Sequence, residues 1–594
     1  MRILVFILLI IITTTSVYAQ NEALAKNYFE QGEYEKALAI YDKLYDRNPN
    51  RFDFFIALVE VNQQLENFTA SEKLLQEKLN NRLVNPQLYV ELGYNYSLQQ
   101  KDSLAALNYD KAIGYTLENP NYSYTVGRAF SKYSLLDYAI TTYEKAMKND
   151  ANKDYNIQLA QIYGEQGKLE KMFSSYVDLI EKNPSFKSSA KRNFSSFIKE
   201  DPTTEANTIL RKVLLKRLQS NPDILYNDLL SWLFIQQKEF KKAFTQEKAI
   251  YKRTGEDLSG IANLVLVTIA EEDYENATDI VNFIIENSYT PETKLQGHQY
   301  LMKIALKTAT KKDYPEIEEK FETIFAEFGK GAQTYALQID YNHFLAFNAE
   351  KKEDAISNLK TLLKDRLTSF QEARVKMELA DILVFDEKFN EALIYYSQIQ
   401  KKVKNDVLAQ EARFKVAKTS YYKGDFEWAQ IQLDVLRKSA SQLIANDAME
   451  LSLMIRDNSL EDSTQTALKK FARADLLALQ NKDKEAIAKL DDILTNHKGE
   501  KIEDEALLKQ AALFEKTKQL EKAEASYNKL IELYPDEIVA DDAYFKLAKL
   551  YEDKLAQPEK AKDLYEQIIY NFADSIYFVE ARKRFRALRG DAIN

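Results

Sequence analysis

The stretch from Pro86 to Leu117 decides the fold and reads PQLYVELGYNYSLQQKDSLAALNYDKAIGYTL. Tyr89, Gly93 and Tyr96 follow one another at i, i+4 and i+7, which is the spacing of one face of an α-helix. After a polar break, a second stripe with helical spacing consists of Ala105, Tyr109 and Ala112. The small residues would let two helices approach closely, and the tyrosines would fill the space around them. The stretch therefore predicts a pair of packed helices.

This pattern recurs along most of the chain, in roughly fourteen segments of similar length. One copy would mean little, because short apolar stripes at helical spacing are common, but a register that recurs so often indicates a repeat array. The pattern consists of a large residue, Leu-Gly, Tyr, and then Ala, Tyr and Ala. It resembles the tetratricopeptide repeat, a helix–turn–helix unit of about 34 residues. The resemblance implies an all-α fold, a right-handed superhelical solenoid of tetratricopeptide-like repeats.

Length and composition agree with a large helical protein. At 594 residues the chain exceeds what one compact core usually supports. It contains only 14 Gly and 10 Pro, few for the many turns of an α/β or β fold. The formal net charge is −10, so no general basic balance exists to hold phosphate backbones. We therefore expect a helical protein that does not bind nucleic acid.

The first nineteen residues have the pattern of a secretory signal peptide, 1–19. Arg2 is followed by the apolar run Ile3–Ile12, and Ala19 supplies the small residue expected before a cleavage site. The run is shorter than the ~20 apolar residues of a membrane span. No Cys is present for a lipid anchor, and no later stretch is apolar enough to span a bilayer. We expect an exported, periplasmic protein without stable membrane insertion after cleavage.

Breaks in the repeat register suggest domain boundaries. Residues 185–222 include a Ser-rich segment between Pro184 and Pro202, which we interpret as an irregular helical connector. Residues 441–465 hold a lone helix followed by the hinge candidate Asn458–Ser463. The predicted arrays are an N-terminal one at 20–184, a central one at 223–440 and a C-terminal one, with a capping helix, at 466–594.

The residue inventory disfavours catalysis. His298, His343 and His497 lie in different units without paired-ligand spacing, and the chain has no Cys and no GxSxG elbow. We expect no enzyme activity, no metal and no cofactor. The basic run Arg582–Arg589 has two interpretations: a capping helix with cations near its C-terminus, or a patch for an acidic partner or lipid headgroups. The first is favoured, because charge runs on terminal helices usually face solvent.

The resemblance also implies that the first helix of each unit lines a concave groove. Carried over unit by unit, that register gives the candidate partner-binding residues Phe344, Phe347, Arg374, Phe385, Phe414, Lys418, Tyr421 and Tyr422. Exposed aromatics with a few cations suit a peptide-binding groove. The alternative is that these rings pack in the core between neighbouring helices.

These observations favour an exported scaffold or adaptor in a Gram-negative cell envelope that binds envelope proteins or peptides through its groove. Residues Tyr534–Arg589 look most like periplasmic tetratricopeptide proteins that assist outer-membrane assembly or cell-wall constriction. An alternative function is therefore an assembly or division accessory factor that binds peptidoglycan or positions an envelope enzyme. A third is an enzyme accessory that presents glycan, with aromatic rings stacking on sugars.

Overall fold

The computed structural model describes residues 21–80, 85–255, 257–439, 442–459 and 464–591. These residues form helices joined by short turns, and no strand occurs among them. The predicted all-α fold built from repeated helical hairpins is confirmed. The chain divides into two compact units, of which unit 1 ends at Leu264 and unit 2 begins at Val265. The predicted signal peptide lies outside the described residues.

The described residues of unit 1 form fourteen α-helices and the start of a fifteenth, which ends in unit 2. They are α1 (21–30), α2 (Tyr34–Arg47), α3 (Phe52–Gln64), α4 (Phe68–Leu79), α5 (Gln87–Ser97), α6 (Asp102–Glu118), α7 (Ser123–Lys132), α8 (Leu136–Asn149), α9 (Asn156–Glu165), α10 (Leu169–Lys182), α11 (Lys187–Ser195), α12 (Glu205–Ser220), α13 (Ile224–Gln236), α14 (Phe240–Thr254) and α15 (Ser259–Ala270).

Unit 2 continues with the same kind of helices. They are α16 (Tyr274–Asn287), α17 (Pro291–Thr308), α18 (Tyr314–Phe328), α19 (Tyr335–Phe347), α20 (Lys352–Leu362), α21 (Ser369–Phe385), α22 (Phe389–Lys402), α23 (Val407–Lys423), α24 (Phe426–Ser439), α25 (Gln442–Asp457), α26 (Thr466–Leu479), α27 (Asp483–Asn496), α28 (Glu503–Lys516), α29 (Leu520–Leu533), α30 (Ala540–Lys549), α31 (Pro558–Asn571) and α32 (Phe578–Arg589).

In chain order the described helices pair into fourteen hairpins, with α11, α12, α25 and α32 outside the pairs. A left-handed residue marks the turn of nearly every hairpin. In the first four hairpins these residues are 34 positions apart, at Gly32, Glu66, Gln100 and Ser134. Most of them are not glycine, although a left-handed backbone conformation costs other residues energy. The regular turn therefore follows from the helix packing on both sides of it.

Small residues sit where the two helices of a hairpin cross. Gly93 on α5 lies against the ring of Tyr109 and close to the backbone of Ala105 on α6. Gly127 on α7 has the same relationship to Tyr143 on α8. The two tyrosines are 4% and 2% exposed. The predicted close approach, with rings filling the remaining space, is confirmed in these hairpins.

Three places depart from the regular array. Helices α11 and α12 occupy the connector predicted at residues 185–222. Helix α25, where a lone helix was predicted, packs against α24. Residues Leu550–Lys554 form a turn of π-helix directly after α30. The boundaries predicted for the three arrays stay predictions. Leu460, Glu461, Asp462 and Ser463 of the hinge candidate lie outside the described residues.

In the described part of the chain, no helix combines the length and the apolar character needed to cross a bilayer.

Candidate partner-binding surfaces

Two of the predicted groove residues lie in the core of unit 2. Phe344 on α19 is fully buried, and its ring packs edge-on against Tyr314 with the centroids 5.3 Å apart. Tyr421 on α23 is also fully buried and contacts the rings of Tyr422 and Phe426. The prediction that these two rings face a groove is wrong. Each instead fills the space between consecutive hairpins, as the alternative interpretation expected.

The other predicted rings are partly buried. Phe347 and Phe385 occupy the ends of α19 and α21, and their ring centroids are 4.6 Å apart. The His343 ring stacks on Phe347, with the centroids 4.4 Å apart. Phe414 and Tyr422 on α23 pack against the core of unit 2 in the same half-buried way, and all of these rings show only part of their surface.

The loop that follows Phe385 is held by a helix almost one hundred residues further along the chain. Gln480, just after α26, donates a hydrogen bond of 2.9 Å to the carbonyl of Phe385. Arg473 on α26 forms an ion pair of 2.7 Å with Glu387 in the same loop. Because α26 also packs against α23, this end of the ring pair is covered by protein. The aromatic surface is therefore smaller than the sequence predicted.

A cleft of about 300 Å³ lies beside these rings, and four successive first helices line it. Its lining residues come from α17, α19, α21 and α23 and are Gln299, Lys303, Tyr335, Ala336, Ile339, Asp340, Arg374, Met377, Glu378, Asp381, Leu408 and Glu411. We call it the central cleft. Of the predicted residues, the structure places Arg374 in it. Four carboxylates face two cations, so its lining is acidic.

Burial makes two carboxylates of the central cleft less acidic than usual. It raises the pKa of Asp340 and of Glu378 above their ordinary values. The Glu378 carboxylate lies 2.9 Å from His343 Nδ1, and this hydrogen bond raises the pKa of the histidine. Asp381 accepts hydrogen bonds from Tyr396 at 2.5 Å and from Lys415 at 2.6 Å. The cleft thus presents fixed, partly neutralised carboxylates that suit a cationic or hydrogen-bond-donating ligand.

A second cleft of about 530 Å³ lies among the C-terminal repeats of unit 2. We call it the C-terminal cleft, and its lining residues are Ala512, Glu515, Lys516, Tyr527, Phe545, Lys546, Lys549, Leu550, Asp553, Lys554 and Tyr577. Here four lysines face two carboxylates. Each lysine already has a carboxylate within reach, as in the pair of Lys554 and Glu515 at 2.8 Å. The C-terminal cleft therefore has the opposite charge balance from the central cleft.

Unit 1 has a cleft of its own, of about 610 Å³, near the helices that follow α10. Five of its lining residues are acidic and one is basic: Glu181, Asp223, Asp228, Glu247, Asp257 and Lys187. Burial raises the pKa of Glu247, and the hydroxyl of Ser231 donates to it at 2.5 Å. Charged side chains on successive helices are thus common to the clefts of both units.

Sequence reasoning missed most of these charged residues. Asp340, Glu378 and Asp381 look like ordinary solvated positions on amphipathic helices, and only helix stacking brings them to one cleft. Their one signal in the sequence was that each falls between core positions of a first helix. Within the described residues, no three His, Asp or Glu side chains come together in a way that could hold a metal ion.

The match to a family model of helical hairpins agrees with the observed architecture. The tetratricopeptide repeat family model matches residues 23–51, 505–537 and 542–575. Among solved structures, a complex of Naa15 and Naa10 bound to HypK-THB is 12% identical, with 97% of each chain covered and a TM-score of 0.27. The APC/C Cut9–Hcn1 hetero-tetramer is 12% identical, with 96% of each chain covered and a TM-score of 0.22. No curated protein matches the chain. Segments at the N-terminal end and in the C-terminal hairpins of this all-α array are therefore similar to the tetratricopeptide repeat.

Proposed function

We propose that this protein is an exported adaptor that binds other proteins of the cell envelope along the inner surfaces of its first helices. The observation that carries the proposal is the central cleft, in which four successive first helices present charged side chains to one open space. Such a surface recognises an extended segment by charge and hydrogen bonds over a large area, and it needs no catalytic group.

The two clefts of unit 2 differ in charge, which indicates that they bind different segments. The acidic central cleft suits a segment with Lys or Arg, whereas the lysines of the C-terminal cleft suit Asp, Glu or a terminal carboxylate. Tyr527, Phe545 and Tyr577 add aromatic surface to the C-terminal cleft. Aromatic rings give large contact area at low entropic cost, so this cleft has both parts of a peptide site.

Export rests on the sequence of residues 1–19, whose charged start, apolar run and small residue before the cleavage site are typical of a secretory signal. The absence of Cys from all 594 residues is compatible with an oxidising compartment, because a large helical core needs no disulfides. The partners would then be envelope proteins or peptides. An accessory factor that binds peptidoglycan is the second candidate, and the same experiment separates the two.

Photo-crosslinking in the native cell tests the proposal. A photoreactive amino acid replaces Arg374 in the central cleft or Lys549 in the C-terminal cleft, and the adducts are identified by mass spectrometry. Lys401 on α22 and Asn528 on α29 are matched controls, because both are exposed on second helices. We expect discrete protein adducts from the cleft positions and none from the controls.

Other outcomes contradict parts of the proposal. Equal adducts from both sets of positions would argue against a role for the clefts, and cytosolic proteins as the only partners would argue against export. Binding of the purified chain to isolated peptidoglycan that survives high salt, without protein adducts, would favour the accessory-factor alternative.

A further inference from the structure

The turn into α32 exposes an unusual number of apolar side chains. Among the described large apolar residues, five are at least two-thirds exposed: Tyr289, Ile538, Tyr570, Ile576 and Val579. Three of these five fall within residues 570–579, with exposures of 75%, 85% and 69%. Isolated exposed apolar residues are normal on proteins, but a concentration of them marks an interaction surface.

Cations lie next to these apolar residues on one face of α32. Val579, Lys583 and Arg586 follow one another at i, i+4 and i+7 and so share a stripe of the helix. Ala581 lies on the other side of the helix and is fully buried, so this stripe faces solvent. Arg582 flanks it and is also exposed. We call Ile576, Val579, Arg582, Lys583 and Arg586 the α32 face.

The positive charge of the α32 face is largely uncompensated. Segment 570–591 contains five Lys and Arg residues and three Asp and Glu residues, in a chain whose net charge is −10. Two of those carboxylates are paired, Glu580 with Arg584 at 2.9 Å and Asp591 with Arg589 and Arg586. Among the described residues, neither Arg582 nor Lys583 forms an ion pair. Both cations are therefore free to meet anionic groups outside the protein.

We propose that the α32 face docks the protein onto an anionic lipid bilayer. Lys and Arg would contact the phosphate headgroups, while Ile576 and Val579, with Tyr570 beside them, would enter the boundary between headgroups and acyl chains. The apolar side chains are exposed on a turn and on one face of a helix instead of lining a groove, which suits a fluid bilayer better than an acidic protein. This inference goes beyond the adaptor function and does not depend on the clefts.

Vesicle sedimentation with the purified full chain tests the inference. The vesicles contain either equal parts of phosphatidylglycerol and phosphatidylcholine or phosphatidylcholine alone. We expect binding to the anionic vesicles only, and its loss at high salt because surface charges are then screened. Replacement of both free cations, Arg582→Glu with Lys583→Glu, should weaken binding by at least about 30-fold, since each cation near an anionic surface contributes roughly a fivefold step and the substitutions also reverse both charges.

Matched variants keep the test specific. The double variant Lys311→Glu with Lys312→Glu changes two adjacent exposed cations elsewhere in unit 2 and should bind as the unchanged chain does. Ile576→Ser with Val579→Ser should weaken binding while circular dichroism and thermal melting stay the same, because both side chains are largely exposed. All variants retain residues 1–19, so differences among them report on the α32 face.

Several results would overturn the proposal. They are failure of the unchanged chain to sediment with anionic vesicles, equal weakening by the control variant, or full binding by the Ile576→Ser, Val579→Ser variant. Binding to polyglutamate without binding to anionic vesicles would identify an acidic polypeptide as the occupant of this face. None of these results bears on the clefts, so the adaptor function is tested separately.

Discussion

The backbone of Gly93 lies directly against the ring of Tyr109, so that a Cβ at this position would stand 2.6 Å from Tyr109 Cδ1 and 3.0 Å from the carbonyl oxygen of Ala105. The next hairpin repeats the arrangement, with Tyr143 Cε1 at 2.5 Å from the Cβ position of Gly127. Glycine here is a packing requirement. It lets the ring of the second helix lie flat on the first helix.

We predict that Gly93→Ala destabilises the first hairpins by about 1–3 kcal/mol, because the added methyl must displace Tyr109 or separate α5 from α6. Gly114→Ala on α6 is the control, since nothing lies within 4 Å of its Cβ position. That change should instead stabilise by up to about 1 kcal/mol through helix propensity. Hydrogen exchange of α5 and α6 measures both effects locally. Equal effects of the two substitutions would contradict the packing explanation.

Among the described residues, the buried hydroxyl of Tyr421 has no hydrogen-bond partner. We predict that Tyr421→Phe leaves stability unchanged or raises it by about 1 kcal/mol, because an unsatisfied polar atom leaves the core. Tyr396→Phe makes the matched comparison, since its hydroxyl donates to Asp381 at 2.5 Å. Loss of this hydrogen bond should lower the free energy of unfolding by about 1–3 kcal/mol, because the acceptor is a carboxylate. Urea unfolding of the two variants measures both changes in stability. An equal loss of stability in the two variants would contradict the prediction.

Phe344 and Phe347 lie on the same helix, but the ring of Phe344 belongs to the core and the ring of Phe347 lies at the surface. We predict that Phe344→Ala costs about 3–5 kcal/mol, because the fully buried ring leaves a cavity. Phe347→Ala should cost clearly less, since its ring is only partly buried and packs against Phe385. Thermal melting of both variants checks the order. If Phe347→Ala were the more damaging, the distinction between core and surface would be wrong.

Glu505 predicts a pH dependence of stability in the C-terminal repeats. Burial, and then the hydrogen bond and charge of Asp504, raise its pKa from 4.5 to about 9. The folded chain therefore keeps a proton that the unfolded chain has released, so stability falls as pH rises from about 4.5 toward 9. Glu505→Gln should remove part of this fall and melt higher than the unchanged chain at about pH 8, but not at about pH 5.

Glutamine preserves the hydrogen bond that Asn458 donates to Glu505 at 3.1 Å, so the substitution isolates the proton. Glu521→Gln on the exposed side of α29 is the control and should leave the pH profile unchanged. Parallel profiles for the Glu505→Gln variant and the unchanged chain would rule out Glu505 as the titrating group.

The left-handed turn residues give a further prediction. Gln100 has φ 60°, where Gly32 has 77° at the equivalent turn of an earlier hairpin. We predict that Gln100→Gly stabilises its hairpin by up to about 1 kcal/mol, because glycine adopts this backbone conformation without steric cost. The neighbouring change Gln99→Gly should destabilise, since it only adds freedom to the unfolded chain. Hydrogen exchange of α5 and α6 again measures the effect.

The hairpins could be predicted because their packing depends on residues that are close together in the sequence. Small and aromatic residues at fixed spacing set the crossing of two helices that are adjacent in sequence, as Gly93 and Tyr109 show. The groove could not be predicted as well, because a first helix packs on more than one neighbour. Tyr421 falls between core positions of its own hairpin, yet it is buried against residues of later helices. The covering of Phe385 by Gln480 depends on α26, which no local pattern reveals.

The π-turn at Leu550–Lys554 accommodates one extra residue in its hairpin. Ala548 and Ala561 are separated by one residue more than Gly93 and Ala105 or Ala380 and Ala392 in other hairpins. An additional residue in an α-helix would rotate everything after it by about 100° and turn Ala561 away from its interface. The hydrogen bond from Leu555 N–H to the carbonyl of Leu550 absorbs that residue within one turn, and Ala561 stays fully buried. A single inserted residue is therefore absorbed within one hairpin, and the helix that follows keeps its buried face.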